Sequence, residues 1–110
     1  MKVYGIKNCD TVKKALKKLD ASGVDYEFID FKKTPPTQDL IKKAKTFLGE
    51  LPVNKRGTTF RKIKEDYEGA SEAAQVKMLL ENSSAIKRPI VEEKNKIMAI
   101  GFKDDWDFLN

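Results

Sequence analysis

The sequence predicts an α/β domain with a four-stranded mixed sheet, built from an N-terminal βαβ unit and a C-terminal ββα unit with helices between them. Three observations support this prediction. Residues 1–31 read as strand, helix and strand, the middle carries apolar residues at helical spacing, and residues 88–102 contain two strand-like runs around a polar turn. A length of 110 residues is typical of one domain. We therefore predict a single domain over residues 1–110, with a helical insertion at about residues 50–84.

The N-terminal βαβ unit has the clearest pattern. Residues 2–6, "KVYGI", are typical of a short buried strand, and the aromatic and branched residues of "VDYEFIDF" at 24–31 indicate a second one. Residues 11–19 have the amphipathic spacing of a helix, which ends before Gly23; its apolar face consists of Val12, Ala15, Leu16 and Leu19. Because a helix connects the two strands, we expect them to be parallel with a right-handed crossover.

The middle of the chain is predicted to be helical. Thr37 is expected to cap a helix that ends at Gly49 and buries one face, made of Leu40, Ile41, Ala44, Phe47 and Leu48. Residues 51–70 have a mixed pattern, from which we expect short helical pieces. Ser71 is expected to cap a further helix, whose inward face holds Ala73, Val76, Leu79 and Leu80.

The C-terminal part is predicted to form an antiparallel hairpin with a polar turn at residues 93–95, followed by a short helix at about residues 103–109. When the middle helices are set aside, the order of elements is βαβ-ββα. This order is that of a thioredoxin-like fold.

The composition excludes several classes of protein. The net charge is +5, but 17 acidic residues are interleaved with 22 basic ones and no long basic run occurs, so the charge favours a solvated surface over a nucleic-acid interface. No apolar run approaches the roughly 20 residues of a membrane span, and the N-terminus lacks the pattern of a secretory signal. One cysteine cannot form an internal disulfide, which fits a reducing compartment. We therefore expect a cytoplasmic protein.

The absence of histidine restricts the chemistry further. A Ser-His or Cys-His nucleophile is impossible in this chain, and a zinc site of the usual ligands is excluded, which leaves only all-oxygen metal sites. No residue is assigned to a metal site. Any cysteine chemistry must therefore depend on electrostatic lowering of the thiol pKa or on a partner thiol.

The single cysteine, Cys9, lies where the first strand is followed by the first helix. Unpaired N–H groups and the helix dipole favour a thiolate there. The Thr11 hydroxyl would donate a hydrogen bond to the sulfur, whereas the Asp10 carboxylate opposes ionisation. The alternative is a small buried hydrophobe. The polar neighbours Asn8 and Asp10 favour the reactive thiol, with Asn8 and Thr11 as candidate binding residues.

Position 12 is Val12, so Cys9 is not part of a C-x-x-C pair that would resolve an oxidised sulfur internally. A lone reactive thiol needs an external thiol, and the most available is glutathione. We therefore expect no bound cofactor and glutathione as the thiol co-substrate, with glutaredoxin as a further partner.

Only three of the 22 basic residues are arginines, namely Arg56, Arg61 and Arg88. Arginine holds carboxylates and oxyanions with a planar, forked donor, so these positions are candidates for anion binding. Arg88 precedes Pro89 at the start of the predicted hairpin, where a cis proline would turn residue 88 toward the Cys9 sulfur. Arg56 and Arg61 flank a Gly/Thr segment that is either an anion-contacting loop or solvated surface.

Three segments together resemble the arsenate reductase-like (ArsC/Spx) family, and most of all its short YffB-type branch. They are "YGIKNCDTVKKALKKL", "RGTTFRK" and "KRPIV", which occur in this order along nearly the whole chain. The resemblance implies a thioredoxin-like fold with a helical insertion and a nucleophilic cysteine, Cys9. It also implies that Arg61 and Arg88 bind the oxyanion or its thiol adduct, while Arg56 belongs to the pattern of the branch without an assigned role.

The sequence departs from two patterns within this family. Arsenate-reducing members place a further arginine in the final hairpin, where this chain has "MAIGFKDD", with Lys103 as the nearest cation. Spx-type regulators commonly carry C-x-x-C. We therefore predict a glutathione-dependent thiol oxidoreductase with Cys9 as nucleophile. The alternatives are an Spx-type transcription regulator that binds RNA polymerase and a true arsenate reductase.

Overall fold

The computed structural model describes residues 1–102 and residue 106. Its elements are β1 (Lys2–Gly5), α1 (Asp10–Ala21), β2 (Glu27–Asp30), α2 (Gln38–Leu48), α3 (Thr58–Glu68), α4 (Glu72–Glu81), a 3₁₀ turn (Ser83–Ala85), β3 (Ile90–Glu93) and β4 (Lys96–Ile100). Contacts divide the chain into two compact units, one formed by Met1–Thr34 with Arg88–Asn110 and one by Pro35–Lys87. The second unit contains α2 together with α3, α4 and the 3₁₀ turn. The single domain with a helical insertion at about residues 50–84 stays a prediction. The predicted C-terminal helix falls, apart from Trp106, outside the described residues.

The first unit contains a four-stranded mixed sheet in the order β2-β1-β3-β4. β1 is parallel to β2 and antiparallel to β3, with Val3 opposite both Phe28 and Val91. β3 and β4 form the predicted hairpin, and its turn residues Lys94 and Asn95 have φ angles of 51° and 67°. Two successive residues in the left-handed region are typical of a type I′ turn, whose twist matches that of the strands.

Helix α1 packs against this sheet and contributes its apolar face to the core of the first unit. Val12, Ala15 and Leu19 are fully buried, as the sequence spacing predicts. The helix ends in a Schellman motif, since the N–H of Val24 donates to the Leu19 carbonyl while Gly23 adopts a φ of 70°. Around these residues the core includes Val3, Val91, Ala99 and Trp106.

The second unit is helical. Thr37 and Ser71 are the N-caps of α2 and α4, as predicted, and each side chain accepts a hydrogen bond from the backbone three residues later. Residues 58–68 form one continuous helix instead of the expected short pieces. The core of this unit contains Leu40, Ile41, Ala44, Phe60, Tyr67, Leu79 and Ile86.

Two residues that we expected to be buried are exposed in the second unit. Phe47 is 48% exposed on the last turn of α2, and Ala73 is exposed on the first turn of α4. Both lie next to a helix end, where the apolar face has less of the neighbouring structure to pack against. None of the helices in residues 1–102 combines the length and hydropathy that crossing a membrane requires.

Candidate active site

The sheet topology brings the residues after β1 and the residues before β3 to the same end of the two strands. β1 and β3 are antiparallel, with Tyr4 opposite Ile90. The chain that leaves β1 therefore reaches Cys9 on the side of the sheet from which β3 starts, and Arg88 and Pro89 directly precede β3. The segment that contains Cys9 and the segment that contains Arg88 are far apart in sequence but lie at the same end of these strands.

Backbone hydrogen bonds hold Cys9 at the start of α1. It is the N-cap residue, with φ of −90° and ψ of 124°. Its N–H donates to the Ile6 carbonyl at 3.1 Å, which closes the turn after β1, and its carbonyl accepts from the Lys13 N–H at 2.9 Å, the first hydrogen bond of the helix. The sulfur is therefore attached to a backbone that is fixed on both sides, beside N–H groups that have no partner within the helix.

The surroundings of the sulfur favour its ionised form. Cys9 is half-buried, and this burial alone would raise the pKa of its thiol. The Val12 N–H, the Arg88 guanidinium and the Thr11 N–H act in the opposite direction and outweigh burial, so that the pKa lies below its ordinary value. The Cys9 side chain makes no capping hydrogen bond within the described residues. The thiolate is therefore favoured by the electrostatic attraction of the N–H groups in the first turn of α1 and of the Arg88 guanidinium.

The Arg88–Pro89 segment is anchored in the sheet. The Arg88–Pro89 peptide bond is cis, and Pro89 is fully buried. The Pro89 carbonyl accepts a hydrogen bond from the Gly101 N–H at 2.8 Å, which joins the start of β3 to the end of β4. The Arg88 guanidinium interacts with the Cys9 sulfur. Arg88 is half-buried, so part of its side chain remains accessible to a ligand.

The other candidate residues of the first unit are Asn8 and Thr11, and both side chains are exposed next to Cys9. The contribution of Thr11 to the pKa of Cys9 comes from its backbone N–H. A role for its hydroxyl and for Asn8 stays a prediction. The structure therefore brings together Cys9, Arg88 and the first turn of α1.

Arg56 and Arg61 belong to the second unit. Arg56 is exposed and directly precedes Gly57, the N-cap of α3. Arg61 is exposed near the start of α3 and lines a cavity of about 520 Å³ together with Lys55, Phe60, Lys64, Tyr67, Glu68 and Gln75. Three cations and one carboxylate give this cavity a positive charge. The roles expected for Arg56 and Arg61 stay predictions.

One functional group was not singled out in the sequence. The backbone N–H of Val12 lowers the pKa of Cys9, whereas the sequence pattern identified Val12 only as a core residue. The contribution of this N–H could have been inferred from the geometry of helix capping, because the side chain of an N-cap residue is directed toward the N–H groups two and three positions ahead.

Comparisons with known proteins agree with this description. The model of the ArsC family matches residues 4–107 of the chain. An uncharacterized protein from Haemophilus influenzae is 38% identical over 104 residues, which cover 93% of this chain and 90% of that protein.

Two solved structures extend the comparison. The YffB (PA3664) protein has a TM-score of 0.82 and 35% identity, over 94% of this chain and 92% of that one. A possible arsenate reductase from Streptococcus mutans UA159 has a TM-score of 0.77 and 29% identity, over 93% and 90%. These similarities confirm the predicted thioredoxin-like fold.

Proposed function

The chain belongs to the ArsC family, and from this premise we propose that it is a glutathione-dependent thiol oxidoreductase in which Cys9 is the nucleophile. The observation that carries the proposal is the environment of the Cys9 sulfur. The Val12 N–H and the Arg88 guanidinium both favour the thiolate, which is the form that attacks disulfides and oxyanions. The chain has no histidine, so this electrostatic activation takes the place of a general base.

The proposed reaction is the reduction of a mixed disulfide between a substrate thiol and glutathione. The Cys9 thiolate attacks the glutathione sulfur, a new disulfide forms between Cys9 and glutathione, and the substrate leaves as a thiolate that takes a proton from water. A second glutathione thiolate then attacks the sulfur of the bound glutathione. This step releases oxidised glutathione and regenerates the Cys9 thiolate, so that one substrate disulfide is reduced by one molecule of glutathione in each cycle.

Arg88 has two roles in this proposal. Its positive charge stabilises the Cys9 thiolate before attack and again when Cys9 leaves in the second step, which makes Cys9 a better leaving group. Its forked donor also suits a carboxylate of glutathione, because guanidinium and carboxylate form paired hydrogen bonds. The half-buried position of Arg88 is compatible with both roles.

We assign the remaining candidates to binding. Asn8 and Thr11 are exposed beside Cys9 and would contact the peptide backbone of glutathione, and buried Pro89 would shape the surface next to it. Arg61 and Arg56 would contact the anionic groups of the substrate or of glutathione, a role for which Arg61 has the support of the family motif. Because glutathione is the proposed reductant, we also propose a cytoplasmic location and glutaredoxin as a protein partner.

Mass spectrometry after incubation with oxidised glutathione tests this function. We expect a single glutathione adduct on Cys9 that forms several times more slowly in Arg88→Ala. Lys87→Ala is the matched control, because it removes the neighbouring cation and, among the described residues, Lys87 is not one of the groups that lower the pKa of Cys9. Failure of the wild-type protein to form the adduct would refute the proposal.

Arsenate reduction is a second candidate. It is favoured by the similarity to the possible arsenate reductase from Streptococcus mutans and by the presence of Cys9, Arg61 and Arg88. The hairpin segment "MAIGFKDD" lacks the further arginine of arsenate-reducing members. Turnover of arsenate with glutathione and glutaredoxin would establish this activity, and its absence, in a preparation that accepts glutathione on Cys9, would leave thiol reduction as the function.

A further inference from the structure

Strand β1 and helix α1 are in close contact at Gly5, four residues before the nucleophile. A Cβ atom added at Gly5 would lie 2.9 Å from Val12 Cγ2, 3.3 Å from Val12 Cγ1 and 3.5 Å from Phe28 Cε1. The first of these distances is shorter than a side chain tolerates without movement. Gly5 does not have a positive φ, so the requirement for glycine at this position comes from space and not from backbone conformation.

Val12 cannot accommodate a larger residue at position 5 by moving its side chain alone. Its side chain is fully buried, and a β-branched residue in a helix is restricted to essentially one rotamer. The movement would therefore pass to the backbone of Val12, the third residue of α1. This backbone carries the N–H group of the third helical position, toward which the side chain of an N-cap residue such as Cys9 is directed, and this N–H lowers the pKa of the Cys9 thiol.

We propose that Gly5 is a positioning residue of the Cys9 site: because it has no side chain, Val12 lies directly on β1 and its backbone N–H is held toward the sulfur. The backbone of Gly5 is held in place by the sheet, because Gly5 pairs with Asp30 and its carbonyl accepts a hydrogen bond from the Phe31 N–H at 2.8 Å. This inference rests on the proposed function, because it assigns Gly5 a role in activating the same nucleophile.

The rate of alkylation of Cys9 by iodoacetamide as a function of pH tests the inference. The chain has one cysteine, so the rate reports on this thiol alone. In Gly5→Ala we expect the midpoint of the pH profile to move upward and the rate at neutral pH to fall several-fold. In Gly5→Ala combined with Val12→Ala, the two methyl groups that meet the new Cβ are gone while the backbone N–H remains, so we expect the midpoint to return toward that of the wild type.

Gly69→Ala is the matched control. A Cβ at Gly69 meets nothing closer than a carbonyl oxygen at 3.7 Å, and its φ of −88° suits alanine, so the pH profile should not change. If Gly5→Ala does not fold, Val12→Ile is measured instead, because its additional methyl group crowds the same contact from the helix side and should also move the midpoint upward.

The outcomes distinguish this inference from the proposed function. A wild-type midpoint at or above that of a free cysteine would refute the activation of Cys9 and the inference together. A low wild-type midpoint that neither Gly5→Ala nor Val12→Ile changes would overturn the role of Gly5 alone. Failure of the double variant to recover, with its fold intact by circular dichroism, would also overturn it, because the steric mechanism would then be wrong.

Discussion

Replacement of Arg88 by alanine is the most direct test of how the Cys9 thiol is activated. The substitution removes the only side-chain cation among the groups that lower the pKa of Cys9 within the described residues, and it leaves the two backbone N–H groups in place. We therefore expect partial loss of activation: the pKa of Cys9 should rise but remain below that of a thiol without any helix N-terminus nearby.

The magnitude follows from the exposure of the two side chains. A hydrogen bond to a charged group contributes about 1.5–3 kcal/mol when it is shielded from water. Cys9 and Arg88 are both half-buried, so solvent screening reduces this to about 1 kcal/mol. One pKa unit corresponds to about 1.4 kcal/mol, so the ratio of thiolate to thiol at a fixed pH below the pKa should fall about fivefold.

The alkylation rate of Cys9 across a pH series measures this change. Arg88→Lys should lie between the wild type and Arg88→Ala, because lysine keeps the charge but not the planar donor. Lys87→Ala should resemble the wild type. A profile for Arg88→Ala that coincides with the wild type, in a variant with unchanged thermal unfolding, would show that Arg88 does not act on the sulfur and would refute the electrostatic reasoning.

Three further predictions concern the stability of the fold. Tyr4→Phe removes the hydrogen bond of 2.9 Å from the Tyr4 hydroxyl to the buried Glu92, and should lower the free energy of unfolding in urea by about 1–2 kcal/mol. Tyr26→Phe loses an exposed hydrogen bond and should lower this free energy by less than about 0.5 kcal/mol. Equal losses in the two variants would contradict this prediction. Because the folded pKa of Cys9 is depressed, its ionised form stabilises the fold fully above the unfolded value of about 8.5, and this contribution is lost as the pH falls through the folded pKa. Urea denaturation of the wild type and Cys9→Ser at several pH values should show this difference, and a gap independent of pH would disprove it. Ser71→Ala removes the N-cap of α4 and should lower the midpoint of thermal unfolding, at a cost of about 1 kcal/mol; an unchanged midpoint would show that the cap is dispensable.

The buried face of α1 and the position of Cys9 could be predicted from the sequence, because both depend on residues close together in the chain. The spacing of Val12, Ala15 and Leu19 identifies the buried face, and all three are fully buried. The place of Cys9 between the first strand and the first helix indicates the first turn or the N-cap, and in the structure Cys9 is the N-cap residue. Such features depend on a few consecutive residues, and the backbone geometry of helix and turn then determines where the side chains lie.

Helix α3 shows why other parts were not predictable. Residues 58–68 contain few apolar residues, and their N-cap is Gly57, which offers no side-chain acceptor, so the local pattern indicated only short pieces. In the structure, Phe60 and Tyr67 pack edge to face, and the Gln75 side chain donates to the Tyr67 carbonyl at 2.8 Å. These contacts within the second unit supply the stabilisation that local propensity does not.

The order of the described strands and the placement of a single thiol at a helix start could be predicted from the sequence, because both follow from short-range spacing. The groups that surround that thiol are known only from the packed structure. Arg88 reaches Cys9 because β3 pairs antiparallel with β1, and the role proposed for Gly5 depends on its close contact with Val12 of α1. Long-range strand pairing and the contact of a helix with a strand depend on the whole packed unit, and no short stretch of residues encodes them.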